Sequence, residues 1–159
     1  MIRVLFVCTG NICRSPTAEG VFRHLVRQAG LEGLIEADSA GTHGYHSGEP
    51  PDPRSILAAR ERGIDLSDLR ARTVRPADFA AFDYVLAMDR GHLAHLRRMA
   101  PPAPAATVAL FLDYAPAAPR REVPDPYYGD GPGFLEVLDL CGLGARGLLD
   151  HIRRERLAQ

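Results

Sequence analysis

Val4-Leu5-Phe6-Val7-Cys8-Thr9-Gly10-Asn11-Ile12-Cys13-Arg14-Ser15-Pro16 is the stretch on which the reading of this chain turns. Val4–Val7 is a short continuous apolar run, the pattern of a strand buried on both faces. After Pro16 the period changes. Ala18, Val21, Phe22, Leu25, Val26 and Ala29 recur at spacings of three and four, which predicts an amphipathic helix. Ser15 suits its N-cap, Pro16 its first position and Gly30 its stop. Cys8–Ser15 therefore joins a buried strand to a helix N-terminus, where free N–H groups and the helix dipole attract anions.

The residue types agree with an anion cradle. Gly10 permits a tight turn, and Asn11 tolerates a left-handed backbone while its side chain braces the loop. Arg14 offers a planar fork that matches two phosphate oxygens. Cys8 opens the loop in a field that lowers a thiol pKa and makes a nucleophile, and Ser15 can donate its hydroxyl to that sulfur. A leaving group held there needs a proton donor, and Asp125 in Pro124-Asp125-Pro126-Tyr127-Tyr128-Gly129 is the candidate, held by flanking prolines. Tyr127 and Tyr128 beside it can wall a slot for a flat aromatic group.

Outward from the loop, strand and helix signals alternate. Strands are predicted at Leu34–Ala37, Asp83–Met88 and Thr107–Leu112, with a short extended stretch near Arg72–Val74. Helices are predicted from Asp52-Pro53 to about Arg62, over Pro76–Ala81, over Arg90–Met99 and over roughly Gly133–Arg156, with a risk of interruption at Gly142 and Gly144. A polar loop, Ser39–Pro51, and a long irregular segment, about Asp113–Pro132, lie between them. The alternation predicts one α/β domain over residues 1–159, a three-layer fold with a four-stranded parallel sheet and helices on both faces. Ligands of such sheets sit at the carboxyl ends of the strands.

Composition bounds the chemistry. The chain has 159 residues, and all 19 basic residues are arginine. Without lysine there is no Schiff-base catalysis and no lysine-tipped nucleotide loop. A formal charge of −1 argues against a nucleic-acid binder. No apolar run is long enough to span a bilayer, and the apolar N-terminal run is too short for a secretory signal, so a cytoplasmic protein is expected. Three cysteines, Cys8, Cys13 and Cys141, lack the spacing of a zinc site, and no metal is expected. Cys141 reads as core, and His43, His46, His92 and His95 as surface residues. Asp89 reads as a helix cap, and Asp38 and Ser39 as loop braces.

Cys8, Arg14, Ser15 and Asp125-Pro126-Tyr127-Tyr128 resemble the low-molecular-weight protein tyrosine phosphatases, with C-x5-R-[ST] near the N-terminus and a distant Asp-Pro pair. The similarity extends to Asp38-Ser39-Ala40-Gly41-Thr42, Pro51-Asp52-Pro53-Arg54 and Ala87-Met88-Asp89. It implies hydrolysis of phosphotyrosine on protein substrates through a phosphocysteine on Cys8. Arg14 and the loop residues Thr9, Gly10, Asn11, Ile12, Cys13 and Ser15 would bind phosphate, and Asp125 would act as acid and then base. Inorganic phosphate is the product, and neither a cofactor nor a metal is implied. Cys13 resembles the family's second loop cysteine, able to pair with Cys8 on oxidation. Two departures stand out. Leu69 occupies the place of a histidine that helps hold the loop's asparagine and serine, and Tyr45 stands where eukaryotic members often have tryptophan.

Rival readings use the same loop. An arsenate reductase needs resolving cysteines, and only Cys13 and distant Cys141 are available. Arginine phosphatases of the family carry threonine at the position of Ile12 and lack the double tyrosine. A flavodoxin-like FMN carrier could use Thr9-Gly10-Asn11, yet its phosphate loop favours hydroxyls over Cys8 and Arg14. A phosphate-binding module without catalysis is the remaining option. The lysine-free bias, with Asn11 the single asparagine, has two sources: base composition or heat adaptation. Heat adaptation predicts melting above the ordinary ~45–65 °C range; a thermal melt inside that range leaves base composition.

Overall fold

The computed structural model describes residues 1–129 and 131–157; Asp130, Ala158 and Gln159 of the expected 1–159 domain lie outside them. Strand β1 (Ile2–Cys8) leads to α1 (Arg14–Gln28), β2 (Ile35–Gly41), α2 (Pro53–Arg60) and α3 (Asp78–Ala81). Then follow β3 (Tyr84–Ala87), α4 (Arg90–Met99), β4 (Thr107–Leu110) and α5 (Gly131–Ile152). The four strands are all parallel in the order β2-β1-β3-β4. After β2 the chain crosses β1 to continue on its other side, so the sheet reverses direction of growth beside β1. The crevice at that reversal receives the ends of β1 and β3.

The period-two geometry of β1 divides the core. Val4, Phe6 and Cys8 face a cluster with Phe22 of α1 and Leu138, Cys141 and Leu148 of α5. Leu5 and Val7 face Phe79 of α3 and Leu93 and Leu96 of α4. All four residues of Val4–Val7 are fully buried, as a strand covered on both faces requires. Phe6 lies edge-on to both Phe22 and Phe111, with ring centroids 5.7 and 5.1 Å away.

Several boundaries differ from expectation for physical reasons. Ser15 is not the cap of α1: the helix begins at Arg14, Cys13 occupies the cap position without a side-chain bond, and the Ser15 hydroxyl is engaged by the loop. β2 starts at Ile35 and runs on to Gly41, because its polar end pairs with β1 up to Cys8↔Gly41. The stretch near Arg72–Val74 contributes only a bridge, Gly41↔Thr73. β4 ends at Leu110, and Phe111–Tyr114 form a 3-10 turn whose Phe111 and Leu112 drop into the core. α2 stops at Arg60, before a turn that ends on Gly63. Helix α5 begins at Gly131 and is not interrupted at Gly142 or Gly144. Its Gly147 backs directly onto the Tyr114 carbonyl, where a Cβ would collide, so glycine here brings the helix close. Arg153–Leu157 extend it as a π-helical turn. Among the described residues, no helix is long and apolar enough to cross a membrane.

Phe6→Ala empties the centre of the larger cluster and is expected to cost about 3–5 kcal/mol. Urea unfolding should show a lower midpoint at unchanged slope; a loss below about 1 kcal/mol contradicts the central packing.

Candidate active site

Between the end of β1 and the start of α1, the chain must reverse in a few residues. Asn11 makes the turn in the left-handed region, at φ 59°, alone in this among the described non-glycine residues. Its side chain uses both ends. Nδ2 donates to Ser15 Oγ (2.8 Å) and Ser39 Oγ (3.0 Å), and Oδ1 accepts from the Arg72 backbone N–H (3.0 Å). The brace that the resemblance assigned to a histidine is therefore supplied by main chain. Leu69, at that histidine's place, packs against the core instead.

The loop is closed on every side but one. Cys8 and Thr9 carbonyls accept from Thr42 and His43, and Ile12 accepts from Asp52. Among the described residues, none of the backbone N–H groups of Thr9–Ser15 donates to a protein acceptor. An unpaired run of donors at a helix N-terminus is an anion cradle. Cys8 lies within it, its Sγ 2.9 Å from Ser15 Oγ. Ser15 Oγ accepts from Asn11, and its own proton has two acceptors in reach, the sulfur at 2.9 Å and the Ala40 carbonyl at 3.4 Å.

Arg14 rises from the first turn of α1 with only 5% of its side chain exposed. Nη1 donates to Asp89 Oδ2 (2.9 Å) and the Val123 carbonyl (3.1 Å). Asp89 thus caps α4, accepting from the His92 N–H, and also holds the arginine. Burial works to raise the Asp89 pKa, but that N–H, the His92 ring and Arg14 together hold it below the ordinary value. Asp125 comes from the segment before α5 and is 44% exposed, its Oδ2 3.7 Å from Arg14 Nη2. Its Oδ1 accepts from the Tyr127 N–H (3.0 Å).

Cys8, Ile12, Cys13 and Arg14 line a cleft of about 200 Å³, together with Asp125, Tyr45, His46, Tyr127 and Tyr128. Tyr128 is 92% and Tyr45 72% exposed, so both stand as a rim, with Tyr45 stacked on His43 at 5.2 Å. Arg54 secures the Asp125 segment: it is bound by the Asp52 carboxylate, donates to the carbonyls of Tyr127 (2.9 Å) and Gly129 (3.1 Å), and stacks on Phe134. Asp52 caps α2 as expected. A larger cavity, about 520 Å³, lies along α1 and β2 among Arg3, Phe22, Arg23 and Glu36. It holds neither a nucleophile nor any part of the loop, so size does not identify the chemistry here.

Not all sequence readings hold. His92 is buried rather than on the surface, its Nε2 2.8 Å from Thr9 Oγ1 and 3.4 Å from Arg14 Nη2. His46 and His95 are half-buried, and His46 sits over Gly10 inside the cleft. Cys141 is core, as read. Cys13 lines the cleft, and burial, with Asp52 adding, pushes its thiol up to about 12. All three cysteines are free thiols. Among the described residues, no three His, Cys, Asp or Glu side chains gather as a metal site.

Behind the loop, Ser39 Oγ donates to Glu19 Oε1 (2.6 Å), and Arg23 reaches Glu19 Oε2 as an ion pair without the alignment of a hydrogen bond. Burial raises the Glu19 pKa to about 7, against the opposing pull of Arg23 and Ser39.

Residues 3–158 match the model of a family described as low molecular weight phosphotyrosine protein phosphatase. A low molecular weight protein-tyrosine-phosphatase of Streptomyces coelicolor is 49% identical over 96% of this chain and 94% of its own. The crystal structure of YfkJ from Bacillus subtilis superposes with a TM-score of 0.91 at 44% identity, covering 98% of this chain and 97% of that one. A Drosophila arginine phosphatase, DARP, superposes with a TM-score of 0.90 at 30% identity over 98% and 99% of the two chains.

Glu19 binds its proton more tightly folded than unfolded. Stability therefore falls as pH rises from about 4.5, the ordinary value, to about 7, and levels off above. Urea midpoints measured from pH 5 to 8 should decline for the wild type relative to Glu19→Gln; parallel curves would remove Glu19 from that slope.

Proposed function

The chain belongs to the low molecular weight phosphotyrosine protein phosphatase family, and from that premise we propose that it hydrolyses phosphotyrosine on protein substrates, with Cys8, Arg14 and Asp125 performing the reaction. The observation that carries this reading is that all three line one cleft: a sulfur at the start of a loop whose N–H groups have no protein acceptor among the described residues, a buried guanidinium, and a half-exposed carboxylate 3.7 Å from it.

In the first step the Cys8 thiolate attacks phosphorus. The S–P bond forms as the bond to the tyrosyl oxygen breaks, and that oxygen takes the Asp125 proton with the departing electron pair. In the second step the Asp125 carboxylate takes a proton from water, the water oxygen attacks phosphorus, and the S–P electrons return to Cys8. Inorganic phosphate leaves. The loop N–H groups and Arg14 face the equatorial oxygens, whose charge is held best in the transition state. Ser15 Oγ, 2.9 Å from Cys8 Sγ, can donate to the sulfur both as nucleophile and as leaving group. The cradle supplies the positive charge, so the scheme uses neither a metal nor a cofactor.

Tyr45, Tyr127 and Tyr128 form the rim of a slot suited to an aromatic leaving group. Cys13 lines the same cleft as Cys8 and is assigned as its partner in a disulfide under oxidation. Its burial keeps it protonated at neutral pH, which slows that pairing. Residues 1–159 are read as a single phosphatase domain, and a nucleophilic thiol fits a reducing compartment such as the cytoplasm.

p-Nitrophenyl phosphate should be hydrolysed at mildly acidic pH with EDTA present, and Cys8→Ala or Arg14→Ala should abolish turnover; either variant at full activity would sink the scheme. Asp125→Asn should slow the reaction roughly 10²–10³-fold, most for phenols that leave poorly. Equal slowing across leaving groups would remove Asp125 as the acid. Side-by-side phosphotyrosine, phosphoserine and phosphoarginine peptides test the substrate class, the last because of the likeness to an arginine phosphatase.

A further inference from the structure

His92 is a buried imidazole that the reaction scheme does not use, yet it touches two residues that the scheme needs. It belongs to the first turn of α4, at the carboxyl end of β3. Nε2 lies 2.8 Å from Thr9 Oγ1 and 3.4 Å from Arg14 Nη2. Nδ1 lies 3.1 Å from Asp89 Oδ1, within ion-pair distance but without the alignment of a hydrogen bond, and the same oxygen accepts the His92 backbone N–H.

One proton assignment fits both contacts at Nε2. A guanidinium only donates, so the nitrogen facing Arg14 must present a lone pair. Nε2 is then bare and Nδ1 carries the proton, toward Asp89. The Thr9 hydroxyl donates to Nε2 and accepts from Arg14 Nη2, which is 3.4 Å away. Arg14 Nη1 donates to Asp89 Oδ2 (2.9 Å). Asp89, Arg14, Thr9 and His92 thus form a chain of hydrogen bonds whose two ends, Asp89 Oδ1 and His92 Nδ1, lie 3.1 Å apart.

Resting on the phosphatase reading of the site, we propose that His92 is a positioning residue: as a neutral, Nδ1-protonated imidazole it fixes Thr9 and through it the plane of the Arg14 guanidinium. Nη1 is fully occupied by Asp89 and Val123, so the orientation of the remaining edge of Arg14 decides how it meets a phosphoryl group. A proton added to Nε2 would aim a donor and a second positive charge at Arg14 and break the hydrogen-bond chain.

The surroundings favour the neutral form. Burial foremost, then Arg14, pulls the His92 pKa down to about 4. Asp89, Asp125 and Glu122 pull the other way. His43, His95 and Arg98 line the depression on the outer side of this hydrogen-bond chain.

Two measurements test the proposal. Long-range 15N NMR of the imidazoles, with His92→Gln identifying the signal, should find a neutral, Nδ1-protonated ring at pH 6; an Nε2-protonated ring or an imidazolium overturns the assignment. Inhibition constants for vanadate and inorganic phosphate give the second readout. His92→Leu should weaken vanadate roughly 10- to 100-fold and phosphate less, and His92→Gln, whose Oε1 can stand where Nε2 is, should recover most of the loss. A merely structural role would reduce the amount of active enzyme and leave both constants unchanged, and that result would overturn the proposal. A wild type that turns over no phosphomonoester would defeat the phosphatase reading, whereas the NMR result decides the ring on its own.

Discussion

A run of seven backbone N–H groups at the end of a buried strand, without an acceptor among the described residues, is the constraint on which this molecule is built. Left buried without a partner, each such donor would cost ~1–3 kcal/mol. The loop must therefore keep them at an open cleft while preventing them from folding back onto their own carbonyls. Asn11 does both. Its left-handed backbone turns the chain inward, and its amide occupies Ser15, Ser39 and the Arg72 N–H, groups from α1, β2 and the segment after Leu69. Those elements must all be in place for the loop to hold its shape.

The sheet order gives the loop its surroundings. Because β1 lies between β2 and β3, the ends of both neighbours flank Cys8. From β2 comes Ser39 and from just beyond it the N–H groups of Thr42 and His43; from beyond β3 come Asp89 and His92. Hydrogen bonds among the buried polar groups form chains that run toward Arg14 on one side and Asn11 on the other, with Glu19 Oε2 and His92 Nδ1 left without an aligned partner. In a site of low polarity such chains reinforce one another, and a single missing member is costly. Glu19 is the strained member: its carboxylate is buried to the point that its pKa approaches neutrality, with one exposed arginine to compensate.

Much of this was legible in the chain. The apolar run Val4–Val7 and the three-and-four spacing after Pro16 place a strand and a helix, and the Cys8, Asn11 and Arg14 side chains fall in the loop between them. The Asp52 cap and the core placement of Cys141 also follow from local pattern. Other features were misread because local pattern was overruled. Ser15 has the chemistry of a cap, but its hydroxyl is claimed by Asn11 and lies against Cys8. His92 has the look of a surface histidine on a polar helix, but α4 carries it under Thr9 and Arg14. Ser39–Gly41 reads as the start of the loop Ser39–Pro51, yet it finishes a strand because Phe6, Val7 and Cys8 offer it a ladder.

What is set within a few residues can be read from the chain alone: strand, left-handed turn and helix, and a thiol and a guanidinium six positions apart that a single turn brings to one cleft. Backbone sterics and side-chain period act at that range, so a one-dimensional pattern records them. What meets them is set at long range. Arg72 braces Asn11 across 61 residues, His92 meets Arg14 across 78, and the Val123 carbonyl accepts from Arg14 across 109. Those contacts depend on strand order and register, which are set by the packing of both sheet faces at once and leave no signature in the residues they join.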